Sequence, residues 1–391
     1  MCPFSAISIV FHRRLRRCPF HQLCIVIPLL THPSLQIIHY LTMATTTMAG
    51  CGTRGRGDGT TQTSAQFSRP RGLATNRAGE VYVADQGSIR KLAGGVVSTF
   101  CGSKFGTGYA DGVGGNARFH KWSDNLAMAR GGVLYVADRE NHRIRKITTD
   151  GRVSTFAGSG KKGAADGQGV AAEFNLPAGL AADREGNLFV ADCGNGLIRI
   201  VTPAGAVSTL GGRQGGRGEA PCLTPSGIAV DSKGYAVVAD FDRHRVVKIA
   251  PSGAMSTLAG SVAGFANGPI AGAMFYGPCG LVIDGEDNIF VVDTYNYRIR
   301  KISPCGSVTT VAGSGHSAFA DGLGTNARFS RPSHIAIDNR GNLLVSDQHR
   351  IRCIAAGLVV PASLRPVRLA DRYGRRRRRP GGASCGSVLT S

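Results

Sequence analysis

The chain has 391 residues, 42% hydrophobic and 18% charged, with 55 glycines and a formal net charge of +21. That apolar share supports a sizeable core, and the glycines fall at turns between β-branched runs, which argues against a low-complexity chain. Residues 1–43 carry four Arg and no acid and residues 361–391 eight Arg and one Asp, so taking +4 and +7 from the total leaves +10 for residues 44–360, a balance that favours polyanions or acidic protein surfaces without implying sequence readout.

Residues 1–43 differ in character from the rest of the chain. Arg13, Arg14, Arg16 and Arg17 precede an apolar stretch, Leu23–Leu30, in the layout of a secretory or organellar targeting peptide. The competing reading is a segment absent from the working protein, with Met43 as the true start. His21, Pro28, His32 and His39 argue against a membrane span.

From residue 44 a unit recurs. In 133–158, VLYVADRENHRIRKITTDGRVSTFAG, an apolar run closes on Asp138, a polar turn leads to the alternating strand RIRKI, and a Gly turn leads to VSTF. The closing Asp returns as Asp85, Asp138, Asp192, Asp240, Asp293 and Asp347, at intervals of 53, 54, 48, 53 and 54 residues. Six copies at this period are one supersecondary unit used six times. Each unit begins with an inner strand such as GLAAD or GIAVD, entered through a Phe-x-x-Pro element (Phe67–Pro70, Phe174–Pro177, Phe275–Pro278, Phe329–Pro332). A long glycine-rich crossing leads from each outer strand to the next inner one, and it emerges on the same face as the turn after the Asp. One face of the disc is therefore rich in loops.

The ends complement each other. TTTMAG at 45–50 aligns with VSTFAG at 153–158, an outer strand without its unit, whereas the sixth unit lacks its fourth strand and runs into Pro361. The N-terminal strand is expected to complete the last blade and close the ring, with Leu358–Val360 as the competitor. Residues 361–391, with Arg375–Arg379, are expected to be a basic disordered tail.

The pattern VADxxNxRIRKI, then VSTFAGxGxxGxxDGxGxxAxFxxPxGL, resembles the NHL repeat. Over about residues 44–358 the chain looks like an NHL six-bladed β-propeller, an all-β fold of four-stranded antiparallel blades. Departures are local: Cys222 stands for the Phe of Phe-x-x-Pro in unit four, Trp122 for its Pro in unit two, and the turn after the Asp is two residues shorter in units one and six.

The repeated Asp is read as structural, capping the backbone of the turn that follows it. Arg90, Arg145, Arg199, Arg300 and Arg352 are read as packing residues paired with an Asp. Arg143, Arg245, Arg298 and Arg350, nearer the turn, are candidate binding residues, together with Arg118 and Arg328 in the two Asn-Ala-Arg-Phe segments. Trp122 is a candidate anchor for a partner or a filler for the missing Pro. The Gly158–Gly163 GxGxxG run has no βαβ context and reads as a loop. Eleven Cys without a CxxC pair argue against a zinc or disulfide framework, and with no N-glycosylation sequon they favour an intracellular compartment.

No catalytic set emerges. The six His between residues 44 and 360 are read as falling at unrelated repeat positions, and His334 as a surface residue. No metal or cofactor site is expected, and the hub is expected to be aliphatic. The reading is a monomeric, non-catalytic binding scaffold engaging a protein through the loop-rich face. RNA bound by a basic face is second, on the strength of the resemblance, and a lyase or hydrolase using the axial channel is the alternative from another class.

Overall fold

A computed structural model describes residues 41–103, 106–121, 125–212 and 223–358. They form six antiparallel sheets arranged as six blades. In each blade the strand ending in the repeated Asp, as in Leu134–Asp138 and Ile289–Asp293, is buried at every position. It has neighbours on both edges and a blade on both faces, which is why its residues are β-branched or small without alternation. The apolar clusters lie between blades: one joins Tyr82, Ala84 and Ile89 of blade 1 to Phe119, Leu126 and Val136 of blade 2.

Ring closure agrees with the expectation. Leu41–Ala49 pairs antiparallel with Arg350–Leu358, from Leu41 opposite Leu358 to Ala49 opposite Ile351, and takes the outer place in blade 6. The ladder includes residues 41–43, ahead of the boundary read from the sequence. Every outer strand carries a bulge at the same point, beside the central Arg or its counterpart, and the extra residue is Phe100, Phe156, Leu210, Leu258, Val311 or, in the closing strand, Met48. A bulge re-aims one side chain out of the alternation. Here it sends an apolar group into the cluster between blades in all six cases.

Each blade has the four antiparallel strands expected, and most carry a short fifth. In five of the six sheets a two-residue strand from the preceding crossing, such as Gly112–Val113 or Gly167–Gln168, pairs with the outer strand. The crossing therefore covers the exposed edge of the blade it is about to enter, before turning in towards the axis. In blade 4 the corresponding crossing, 213–222, lies outside the described residues.

At the axis the inner strands approach closely. A Cβ on Gly179 would lie 2.6 Å from the Ser226 carbonyl oxygen, and one on Gly227 would lie 2.3 Å from that of Cys279. Glycine is needed here for space between adjacent blades.

Deletion of residues 41–50 is expected to lower the melting temperature by about 10 °C or more, because it removes a whole strand and uncovers the edge of Arg350–Leu358. Thermal unfolding of the truncated chain checks this. An unchanged midpoint would mean that the segment from Leu358 onward fills the outer place instead.

Candidate functional site

The repeated charges are consumed in holding the ring together. Arg145 is fully buried. Its Nη1 donates to Asp138 Oδ2 (2.8 Å) and the Arg118 carbonyl (3.0 Å), its Nη2 to Asp111 Oδ1 (2.6 Å) and the Ala110 carbonyl (2.8 Å). The guanidinium sits over the Phe119 ring at 5.2 Å. One side chain thus ties the strand-end Asp to the incoming crossing and to the Phe-x-x-Pro element. Arg90, Arg199 and Arg352 repeat the arrangement with Asp58, Asp166 and Asp321, and Arg300 does so with Asn267 in place of the crossing Asp. Blade 4 has Val247 there, and Asp240 instead accepts from Arg245 Nε at 2.8 Å.

The strand-end Asp is structural, but its partners differ from those expected. Asp138 Oδ1 accepts from the backbone N–H of His120, ahead of the inner strand, and the following turn contributes only the Asn141 side chain, which donates to Oδ2. The carboxylate therefore clamps two separate loops. Burial pushes Asp85 and Asp192 up to about 6, against the backbone and Arg donors that pull them down, so both are ionised at neutral pH.

The candidate binding arginines have intramolecular partners too. Arg143 donates to the carbonyls of Asn141 and Ser159 and stacks 4.0 Å from the Tyr109 ring centroid. Its other side faces Gly160, where a Cβ would lie 2.1 Å from Nη1. Arg298 repeats this with Phe265 at 3.9 Å and Gly315, and Arg350 with Phe319 at 3.8 Å and Gly52. Each is a half-buried sandwich latching two crossings on the loop-rich face. Arg118 and Arg328 are exposed, and Trp122 lies outside the described residues.

Three histidines share one repeat position, contrary to the sequence reading. His142, His244 and His349 immediately precede the Arg that opens the third strand. Their Nδ1 atoms accept backbone N–H groups of the next blade, from Leu176 (3.1 Å), Gly277 (3.2 Å) and Arg69 (3.3 Å), each directly before the Pro of Phe-x-x-Pro. They pin alternate junctions of the ring: 2 to 3, 4 to 5 and 6 to 1. Such a His is neutral with its proton on Nε2, and burial holds His142 and His349 below the ordinary value.

On the loop-rich face the axis opens into a cavity of about 290 Å³ lined from all six blades. It corrects the aliphatic hub. Arg69, Arg71, Arg139 and Arg331 reach it from blades 1, 2 and 6, and Phe241 and Tyr295 from blades 4 and 5. His334 lines it and is buried, at 6% exposure, rather than a surface residue. The other lining residues come mostly from two repeat positions: the x of Pro-x-Gly (Arg71, Ala178, Ser226, Cys279, Ser333) and the residue after the strand-end Asp (Arg139, Cys193, Phe241, Thr294, Gln348). Both change identity from blade to blade, whereas the strand-end Asp beside one of them recurs in all six units and the Pro beside the other in five. That contrast was visible in the aligned repeats and was the missed signal.

Beside the cavity Tyr276 and Tyr295 pack at 4.9 Å, with Phe241 at 5.6 Å from Tyr295 and His244 at 5.3 Å from Tyr276. Among the described residues no three His, Cys, Asp or Glu side chains are grouped to hold a metal ion, and no helix is long and apolar enough to cross a membrane.

Replacing Arg145 by Met should cost about 3–5 kcal/mol in denaturant unfolding, because it strands Asp138 as a buried charge. The double change Arg145→Met/Asp138→Asn should recover part of the loss. For His142 and His349 the sign is set by a folded value below 6.5: the contribution is full above about pH 6.5 and fades as pH falls through the folded value. His142→Asn should therefore have a smaller difference in melting temperature between about pH 7.5 and pH 5.5 than the unsubstituted chain.

The NHL-repeat family model matches residues 126–147, 174–201 and 223–249, in blades 2, 3 and 4. The protein SUPPRESSOR OF QUENCHING 1, chloroplastic, of Arabidopsis thaliana is 28% identical over 271 residues, which is 63% of this chain and 26% of that protein. NHL repeat-containing protein 2 of Bos taurus is 30% identical over 155 residues, 35% of this chain and 21% of that one. The chain thus spans about a quarter or less of these relatives' lengths. Among solved structures, an auxiliary nutrient binding protein of Bacteroides thetaiotaomicron superposes with a TM-score of 0.63 at 17% identity, covering 82% of this chain and 78% of that one. A streptogramin B lyase superposes with 0.52 at 12% identity, covering 81% and 98%. At such identities the likeness is one of fold, shared by binding proteins and lyases alike. With three repeats matched by the family model and six blades closed into one ring, the chain carries NHL repeats in a six-bladed propeller fold.

Proposed function

We propose that the propeller is a binding module that engages a protein partner through its loop-rich face. One observation carries this reading: the exposed Phe and Tyr among the described residues, Tyr109, Phe265, Tyr276, Tyr295 and Phe319, all stand on that face, each 43–45% exposed. Aromatic and Arg side chains are the groups that dominate protein interfaces, and here they come paired. Loops held by buried ion pairs lose little freedom on binding, which favours affinity. Arg118, Arg143, Arg245, Arg298, Arg328 and Arg350 supply the basic surround, suited to an acidic partner surface.

The test is capture from the native lysate with and without nuclease, comparing the unsubstituted chain with the variant Phe265→Ser/Tyr276→Ser. The expected result is a nuclease-resistant partner whose recovery falls at least about tenfold in the variant, with the melting temperature little changed. Capture that nuclease abolishes, with affinity falling steeply with salt and in Arg118→Ala/Arg328→Ala, would assign the face to RNA instead. Capture unaffected by the aromatic substitutions would refute the reading.

A further inference from the structure

The crossing that enters blade 5 differs from the other five in charge. No Lys, Arg, Asp or Glu occurs from residue 249 to 283, whereas each of the other crossings carries at least two. Beside the Phe of Phe-x-x-Pro, Met274 stands where blades 1, 2, 3 and 6 have Gln66, Arg118, Glu173 and Arg328, and Tyr276 where they have Ser68, His120, Asn175 and Ser330. Even the crossing Asp is the neutral Asn267. Met274 and Tyr276 are exposed, as are Phe265 of the same crossing and Tyr295 of the turn after Asp293. The result is an apolar patch on one blade of a basic disc, and the crossings on either side of it, 260–277 and 313–332, lie wholly within the described residues.

The rings of this patch are inclined to one another and leave notches between them. Tyr276 and Tyr295 lie 4.9 Å apart with planes at 53°, and Phe241 stands 5.6 Å from Tyr295 at 59°. Gly277 lies beneath them at φ +62°, where a Cβ would meet the Tyr295 ring at 2.5 Å, so the rings rest on backbone. Two such spacings are on the scale of one turn of polyproline II, ~9 Å. Among the described residues neither tyrosine hydroxyl has a hydrogen-bond partner, and both are left to donate. Polyproline II makes no internal hydrogen bonds, so its carbonyls accept from outside, and its uncharged rings pack against aromatic faces.

We propose that the blade 5 patch docks an uncharged, proline-rich segment of the partner in the polyproline II conformation. Proline rings fill the notches beside Tyr295, the Tyr276 and Tyr295 hydroxyls donate to carbonyls of the segment, and Met274 and Phe265 extend the apolar floor. This assignment rests on the reading of the face as a protein-binding one and names the segment that blade 5 takes. A stretch without charge offers an ionic segment no complementary group, and a preformed helix of prolines has little conformational freedom left to lose on docking.

Fluorescence anisotropy of the full chain with labelled, end-blocked decaproline tests this. An end-blocked Gly-Ser decapeptide serves as the neutral flexible match and decaglutamate as the acidic one. Decaproline should bind saturably, with both controls at least about tenfold weaker and its own affinity unchanged between about 0.05 and 0.5 M salt. Tyr276→Ser/Tyr295→Ser should weaken it at least about tenfold. Tyr276→Phe/Tyr295→Phe, which keeps the rings and removes only the hydroxyls, should weaken it about threefold or more. Val170→Ser, at an exposed position in the crossing into blade 3, should leave it unchanged. No saturable binding of decaproline, equal binding of the Gly-Ser peptide, tighter binding of decaglutamate, or a response intact in both tyrosine variants would overturn the proposal. A lysate partner held by this face that excess decaproline fails to displace would overturn it too, while leaving the protein-binding reading in place.

Discussion

The propeller depends on a buried guanidinium that must find a partner for its charge. An Arg taken out of water is tolerated only where acceptors surround it. Here the acceptors are two carboxyl groups and two carbonyls on three separate segments: the strand-end Asp, the crossing and the Phe-x-x-Pro element. Satisfying one side chain therefore fixes a whole blade, including the long glycine-rich loop that would otherwise have little reason to hold one path. The Nε of each of these arginines lacks an acceptor, in five blades alike, so the cost as well as the gain is repeated.

Closure uses the same interactions. Asp321 of the last crossing accepts from Arg352 and also from Thr47 of the N-terminal strand, through both its backbone N–H and its hydroxyl. Asp111 does the same for Thr155 within blade 2. With the matching bulge at Met48, these contacts make the N-terminal strand equivalent to any other outer strand, although it is drawn from the far end of the chain. Blade 4 is the exception: Val247 takes the Arg position, Arg245 turns inward to Asp240, and the exposed aromatic cluster lies at its border with blade 5. Local departures from a consistent pattern are where function is expected to reside.

The fold was legible because it is written six times. Period, strand order and closure can be read from the spacing of Asp85 to Asp347 and from the outer strand stranded at residues 45–50. The packing role of Arg145 was legible for the same reason, since a residue that recurs whatever its loops do belongs to the frame. The axial cavity was not, because its lining is defined by difference: Arg71, Ser226 and Cys279 share a register position but no chemistry. Arg143 and Arg298 looked free for binding because the ring that covers each one is about 33 residues earlier in the chain, in a loop whose path periodicity does not reveal. His142 and His244 stand at the same count from Asp138 and Asp240 and could have been matched, whereas the shorter turn of the sixth unit, which shifts the count from Asp347 by two, hid His349.

The pairing of Leu41 with Leu358 has a consequence for how the disc is attached. Because these two residues face each other across one ladder, polypeptide on either side of the ring departs from a single point on its rim. The whole wheel can hang from a continuous backbone like a pendant. Tension between the flanking segments would be borne across those few rungs, peeling the seam open and leaving the other five blades unloaded.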